Sequence, residues 1–192
     1  MKQFLCALLT LTLLLALTAC APKPYAPAGA TTGDAALDGQ VLAVLQEVCA
    51  SKNSPADNVR AVYDWVANEI QYRASTADTS NGFTDEVTAQ LAGEMLARRR
   101  GACDGEAALM AVLLRRMGCE AVIVEGQFLR EDGSEWVDHA WVIACIDGKY
   151  CHLDPLYGRY YAEDAMESYC MATDAFLLST HRWDAEQYPA CK

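Results

Sequence analysis

Three residues whose types could together make a nucleophile fall in order along the chain. Cys103 follows Arg100-Gly101-Ala102 and opens an apolar segment; His139 lies in Asp138-His139-Ala140-Trp141; Asp154 lies in His152-Leu153-Asp154-Pro155. A thiol is mostly protonated at neutral pH, and its thiolate is the attacking form. A helix N-terminus stabilises that anion through its unpaired N–H groups and positive dipole end, and a neighbouring imidazolium does the same. His139 would take the thiol proton and return it to a leaving amine. Asp154 would fix the tautomer and orientation of the ring, and the Cys103 N–H would contribute to an oxyanion site.

Taken singly, each residue has a plainer reading: a structural cysteine before a helix, a core histidine beside tryptophan, an aspartate starting a turn. Their joint geometry favours chemistry. Asp147-Gly148 is a strong hairpin signal between two strand-like runs, Trp136 to Ile146 and Lys149 to Leu153. A two-residue turn pairs Ile146 with Lys149 and, counting back, Trp141 with Asp154. His139 then lies one diagonal step from Asp154 on the same face, within reach of a hydrogen bond. A slip of one residue would separate them. The same register puts Cys145 and Cys151 on opposite faces, so these two should not bond to each other.

The elements that must position these residues are legible in outline. Leu37, Val41, Val44, Leu45 and Val48 form one face of a first helix, Leu37 to Cys49. Ser54 as N-cap, Pro55 at the first helical position and Asp57 in the first turn open a second. Val59, Val62, Tyr63, Val66 and Ile70 recur along it at helical spacing. Ala74 to Asp85 is polar and reads as a surface loop. Thr84 or Asp85 caps a third helix bearing Val87, Leu91, Met95 and Leu96. Gly101 breaks that helix and Cys103 starts the next, which is apolar on nearly every side and should be central, with Gly118 as its stop. Ala121 to Phe128 precedes the two hairpin strands. A weak helix from Glu163 to Tyr169 and an edge strand from Phe176 to Ser179 complete the reading. Helices first and an antiparallel sheet second make an α+β fold.

The first nineteen residues are set apart. Lys2 precedes an apolar run from Phe4 to Leu17 that is too short to span a membrane and has the pattern of an export signal. Its ending, Leu17-Thr18-Ala19-Cys20, resembles the lipobox of bacterial lipoproteins, which implies a signal peptide over residues 1–19 and lipidation of Cys20. The plainer alternative is an ordinary signal with a chance cysteine. Residues 20–36 are rich in Pro, Ala, Gly and Thr and read as the lipidated cysteine and a flexible tether, leaving residues 37–192 as the folded domain. The expected location is the extracytoplasmic face of a bacterial membrane, reached through the N-terminal lipid.

The net charge of −11 argues against nucleic acid or anionic wall polymers as partners held by bulk electrostatics. Seven cysteines follow residue 36, at 49, 103, 119, 145, 151, 170 and 191. In an exported chain the six other than Cys103 could form disulfides, or they are buried free thiols; the sequence leaves both open. Asp104 and Glu106 are expected to stabilise a helix N-terminus. Arg98, Arg99 and Arg100 are expected to form a solvated helix end, a substrate-carboxylate role being the alternative. His152 reads as structural, and His181 has no evident partner. Gly101-Ala102-Cys103-Asp104-Gly105 fits a nucleophile elbow by letter, but Leu96-Ala97-Arg98-Arg99-Arg100 is not the hydrophobic strand an elbow needs. No C-x-x-C or H-E-x-x-H is present, so neither a metal nor another cofactor is expected.

Arg100-Gly101-Ala102-Cys103, His139-Ala140-Trp141 and Leu153-Asp154-Pro155 together resemble the transglutaminase-like superfamily, whose fold is related to that of papain. Val62-Tyr63-Asp64-Trp65-Val66 through Ile70-Gln71-Tyr72 is similar to that family's helix leading to an aromatic residue, and the likeness covers about Pro55 to Tyr157. The resemblance implies a Cys103–His139–Asp154 triad acting through a thioester on amide bonds of peptides or proteins, with hydrolysis favoured over cross-linking. It leaves the second oxyanion donor open between Gln90 and Tyr72. The alternative is a catalytically inactive scaffold or binding lipoprotein of the envelope, and cell-wall amidase activity is a further, weaker idea.

Overall fold

The computed structural model describes residues 24–74, 79–80, 82–161 and 163–192. The expected export signal, its cleavage site and Cys20 lie outside the described residues. Among the described residues four helices come first: α1 (Ala35–Val48), α2 (Pro55–Glu69), α3 (Asp85–Arg98) and α4 (Cys103–Met117). Two short strands, β1 (Gln71–Tyr72) and β2 (Arg100–Gly101), pair in parallel between them. The antiparallel sheet follows, with β3 (Ala121–Leu129), β4 (Trp136–Ile146) and β5 (Lys149–Leu153). After α5 (Pro155–Tyr161) come a 3-10 segment, β6 (Cys170–Ala172), the single turn α6 (Asp174–Leu177) and β7 (His181–Trp183). The spatial order is β6-β5-β4-β3-β7. The α+β reading of the sequence is met: helices are packed on an antiparallel sheet.

The helix starts are set by side chains. Asp34, Ser54 and Thr84 accept hydrogen bonds from the first-turn amides of α1, α2 and α3, and Ser54 with Asp57 forms a reciprocal capping box. α4 differs, because Ala102 at its N-cap supplies no side-chain oxygen. From Gly105 to Leu114 every residue of α4 is buried. This helix packs on α3 and on β3 and β4, which is why its sequence lacks a polar face. Truncating a fully buried residue such as Leu113 to alanine should cost about 2–5 kcal/mol. Gly118, at φ 95°, ends the helix in the left-handed conformation that glycine adopts without strain.

Gly101 and Gly105 share one task. A Cβ on either would come within 2.3 or 2.7 Å of the Met95 sulfur, so the pair lets α3 pack under the turn that carries Cys103. Their elbow-like spacing therefore serves helix packing, and the strand before Cys103 is only two residues long.

The hairpin register is the expected one, with Ile146 opposite Lys149 and Val142 opposite Leu153. Asp147 and Gly148 both have positive φ, as a type I′ turn requires. Cys145 faces Tyr150 and Cys151 faces Ala144, so the two thiols do point to opposite sides, and all seven described cysteines are free. The C-terminal region departs from expectation. Phe176 to Ser179 is no edge strand: Thr173 caps a helical turn there, and the edges of the sheet are β6, which pairs with β5, and β7, which pairs with β3. Pro155–Tyr161 is helical because Asp154 caps it through Tyr157 N–H at 2.9 Å and Pro155 occupies its first position. Residues 27–29, within the segment read as a tether, bond to the end of α4: Arg116 donates to the Pro27 and Gly29 carbonyls, and Gly29 N–H to the Arg116 carbonyl. Among the described residues no helix is long and apolar enough to cross a membrane.

Candidate active site

His139 on β4 and Asp154 just beyond β5 meet as the register requires. His139 Nε2 lies 2.6 Å from Asp154 Oδ2, with both side chains almost wholly buried. Because Nε2–H is given to the carboxylate, Nδ1 is the nitrogen left to exchange a proton with a thiol. Phe128 packs edge-on against the imidazole at 5.2 Å and Trp141 stacks on it at 5.8 Å, fixing its plane. Burial opposes the imidazolium, but the Asp154 carboxylate, and then a hydrogen bond and charge interaction with Cys103, outweigh it and raise the His139 pKa. Burial likewise opposes the Asp154 carboxylate, yet His139 and His181 hold its pKa well below the ordinary carboxylate range.

Cys103 is half-buried at the first position of α4. Glu106 N–H bonds to the Ala102 carbonyl and Gly105 N–H to Asp104 Oδ1. With no side-chain cap from Ala102, the amides of Cys103 and Asp104 have no acceptor among the described residues, so they are available to a ligand oxygen. The sequence thus places a thiol and two open donors on one turn.

His181 is the residue that sequence reasoning missed. Its Nε2 lies 3.0 Å from the same Asp154 Oδ2, and its Nδ1 lies 2.8 Å from Thr180 Oγ1. Burial lowers its pKa, partly opposed by Asp154, so it is held neutral, with Nε2–H donating to the carboxylate. A signal existed in retrospect: His181 starts an alternating His-Arg-Trp run. Nothing local says that this run pairs with β3.

His152 is structural, as expected. Its Nδ1 accepts the Trp141 indole N–H at 2.9 Å, so Nε2 carries the proton donated to Asp174 at 2.8 Å. Glu106 lies in the first turn of α4, where its buried carboxylate accepts from Arg159 at 2.8 Å; Arg159 also donates to the Ala67 and Ile70 carbonyls. Burial, only partly offset by Arg159, pushes the Glu106 carboxyl up to about 7. This pair ties the start of α4 to α5 and the end of α2. The arginine run divides as well. Arg98 pairs with Glu94, Arg99 stacks over the Trp65 ring at 4.5 Å, and only Arg100 is left without a partner. Of the two oxyanion candidates, Gln90 donates to Glu94 and Tyr72 packs edge-on against Tyr160, so neither is bonded to Cys103.

Among the described residues two groups of side chains have metal-ligand composition: His139, Asp154 and His181, and His152, Asp174 and Cys191. In the first, both Nε2 atoms already give their protons to one carboxylate oxygen. In the second, the Trp141 N–H on Nδ1 leaves the proton on Nε2, the atom a cation would need. Each is therefore a hydrogen-bonded cluster in its present protonation.

A model of the transglutaminase-like superfamily core matches residues 42–155, more than half of the chain, from within α1 to Pro155. The chain belongs to the transglutaminase-like superfamily. It is 25% identical over 165 residues to the kyphoscoliosis peptidase of Mus musculus and 24% identical over 160 residues to that of Homo sapiens. These alignments cover 83% and 80% of this chain but only 24% and 23% of the peptidases, so the chain spans about a quarter of the length of these relatives. Among solved structures, a candidate cysteine protease from Cytophaga hutchinsonii is similar with a TM-score of 0.49 at 18% identity, covering 81% of this chain and 46% of that one. A TGase structure is similar with a TM-score of 0.48 at 22% identity, covering 63% and 31%.

Proposed function

We propose that this chain is an exported, lipid-anchored cysteine enzyme that cleaves amide bonds of peptides or proteins through a Cys103 thioester. The observation that carries the reading is the buried 2.6 Å contact between His139 and Asp154, formed beside a helix whose first residue is a cysteine. In the proposed reaction the Cys103 proton passes to His139 Nδ1 and the sulfur attacks the scissile carbonyl carbon. The oxygen of the tetrahedral intermediate is received by the open amides at the start of α4. Collapse breaks the C–N bond as His139 protonates the leaving amine, giving a thioester. Water, deprotonated by His139, attacks that thioester, releases the acid and restores the thiol. Membrane attachment in this proposal rests on Leu17-Thr18-Ala19-Cys20.

The test is alkylation by iodoacetamide at pH 7, followed by mass spectrometry at each cysteine, together with peptide cleavage. Cys103 should be labelled ahead of the other six thiols, and His139→Ala should slow its labelling at least about tenfold. Cleavage should vanish in Cys103→Ala. Equal labelling in wild type and His139→Ala, with no cleavage of any peptide, would leave only a scaffold role. For the anchor, Cys20→Ala should move the protein from the membrane fraction to the soluble one.

A further inference from the structure

We infer that a cleft beside the proposed nucleophile recognises carboxylate groups, which makes acidic peptides the substrate class; this rests on the reading of Cys103 given above. The cleft has a volume of about 650 Å³ and lies between α3 and the β1–β2 pair. Ala102, Asp104 and Gly105, the residues on either side of Cys103, line one part of it, and Arg73, Arg98 and Arg100 line another.

The arginines are distinguished by what they lack. Elsewhere the guanidinium groups are engaged: Arg60 with Asp64, Arg99 with Trp65 and Glu69, Arg115 with Asp85, Arg130 with Glu135, Arg159 with Glu106. Arg116 bonds to carbonyls of the N-terminal segment and Arg182 to Gln127. Of the arginines, only Arg73 and Arg100 have guanidinium groups with no partner among the described residues, and both line this cleft.

Their placement follows from the backbone. β1 and β2 run parallel, with Gln71 opposite Arg100 and Tyr72 opposite Gly101, and Arg73 N–H continues the ladder to the Gly101 carbonyl at 2.7 Å. Residues 71 and 73 therefore share a face with residue 100, so both guanidinium groups stand on the same side of the pair. Neither acidic residue of the cleft is paired with them. Glu94 is held by Arg98 and Gln90, and Asp104 accepts from the Gly105 amide. A guanidinium without a carboxylate offers paired N–H donors in the geometry a carboxylate fits. The net negative charge of the whole molecule repels acidic peptides at long range, but salt screens that beyond about 8 Å and leaves local pairing to decide.

The test uses the full-length Cys103→Ala protein and fluorescein-labelled hexamers of Glu, Gln and Lys, read by fluorescence polarisation. The Glu peptide should bind at least about tenfold more tightly than the Gln peptide, with the difference shrinking as salt is raised. Arg73→Gln with Arg100→Gln should reduce the difference to within about twofold, while Lys52→Gln, an exposed charge away from the cleft, should leave it unchanged. Equal binding of Glu and Gln peptides, a preference that survives the double substitution, or no binding of the Glu peptide would each overturn the inference. Binding is read without the thiol, so the two readings fail separately. Cleavage of neutral and acidic peptides alike removes only the acidic preference; acidic binding without cleavage by the wild type removes only the enzyme.

Discussion

Asp154 and His181, twenty-seven residues apart, share a buried 3.0 Å hydrogen bond on the same carboxylate oxygen that holds His139. The carboxylate is thus clamped from both sides, while Oδ1 accepts the Tyr157 amide. His181 acts through Asp154 and so is a positioning residue. His181→Ala should lower stability by about 2–4 kcal/mol through the cavity and the lost bond. It should also reduce kcat with little change in KM. His181→Gln, which can still donate an N–H, should recover part of kcat; unfolding curves and peptide turnover would check both.

Asp154→Asn keeps the shape of the side chain but removes the charge that selects the His139 tautomer. The expected result is a fall in kcat on the order of 10²–10⁴. KM should stay within a few-fold. A variant turning over at the wild-type rate would show that His139 is oriented by its Phe128 and Trp141 neighbours alone.

Ala102→Ser tests the uncapped start of α4. Its extended backbone, φ −106° and ψ −172°, suits an N-cap, so a serine oxygen could accept from the first-turn amides. Stability should rise by about 0.5–1 kcal/mol. Acylation of Cys103 should slow, because the Asp104 amide, the second of the helix, would no longer be open to the substrate oxygen. A stabilised variant with unchanged acylation would remove that amide from the mechanism.

Gly126 faces the Trp141 ring, which a Cβ would approach to 2.7 Å, and the Arg182 carbonyl, at 2.5 Å. Gly126→Ala should therefore force β3 away from β7 or rotate Trp141, costing about 1–3 kcal/mol. Since Trp141 stacks on His139, activity should fall with stability, measurable as a lower melting temperature together with slower Cys103 labelling.

Alkaline pH should destabilise the fold. Burial raises the thiols of Cys151, Cys170 and Cys191 to about 12, and Cys49 to about 11. Above the unfolded thiol value of about 8.5 the unfolded chain releases protons that the folded chain retains, so stability falls as pH rises. His139 adds to this. Its raised folded value gives stabilisation that is complete below about 6.5 and is lost as pH rises through the folded value. Urea midpoints under reducing conditions should be lower at pH 10 than at pH 7.5. Equal midpoints would mean that the thiols are not held protonated by burial.

Local rules determined the parts of this protein that depend on neighbours in sequence. Ser54-Pro55 and Thr84 start helices because an oxygen and a fixed φ satisfy a first turn wherever they occur. The Asp147-Gly148 turn set a two-residue hairpin, and pleat alternation then carried His139 to Asp154 without any knowledge of the rest of the fold. Tertiary structure decided what depends on distant segments. β7 comes to β3 instead of the hairpin edge, and only that pairing brings His181 to Asp154. Arg159 reaches Glu106 because α5 packs on the start of α4, converting an apparent helix-end carboxylate into a buried ion pair. Arg98 and Arg99 find partners in Glu94 and Trp65, whereas a two-residue parallel strand places Arg100 on one face with Arg73. A side chain's type and local spacing fix which bonds it can make; the long-range packing of elements fixes which of them it does make.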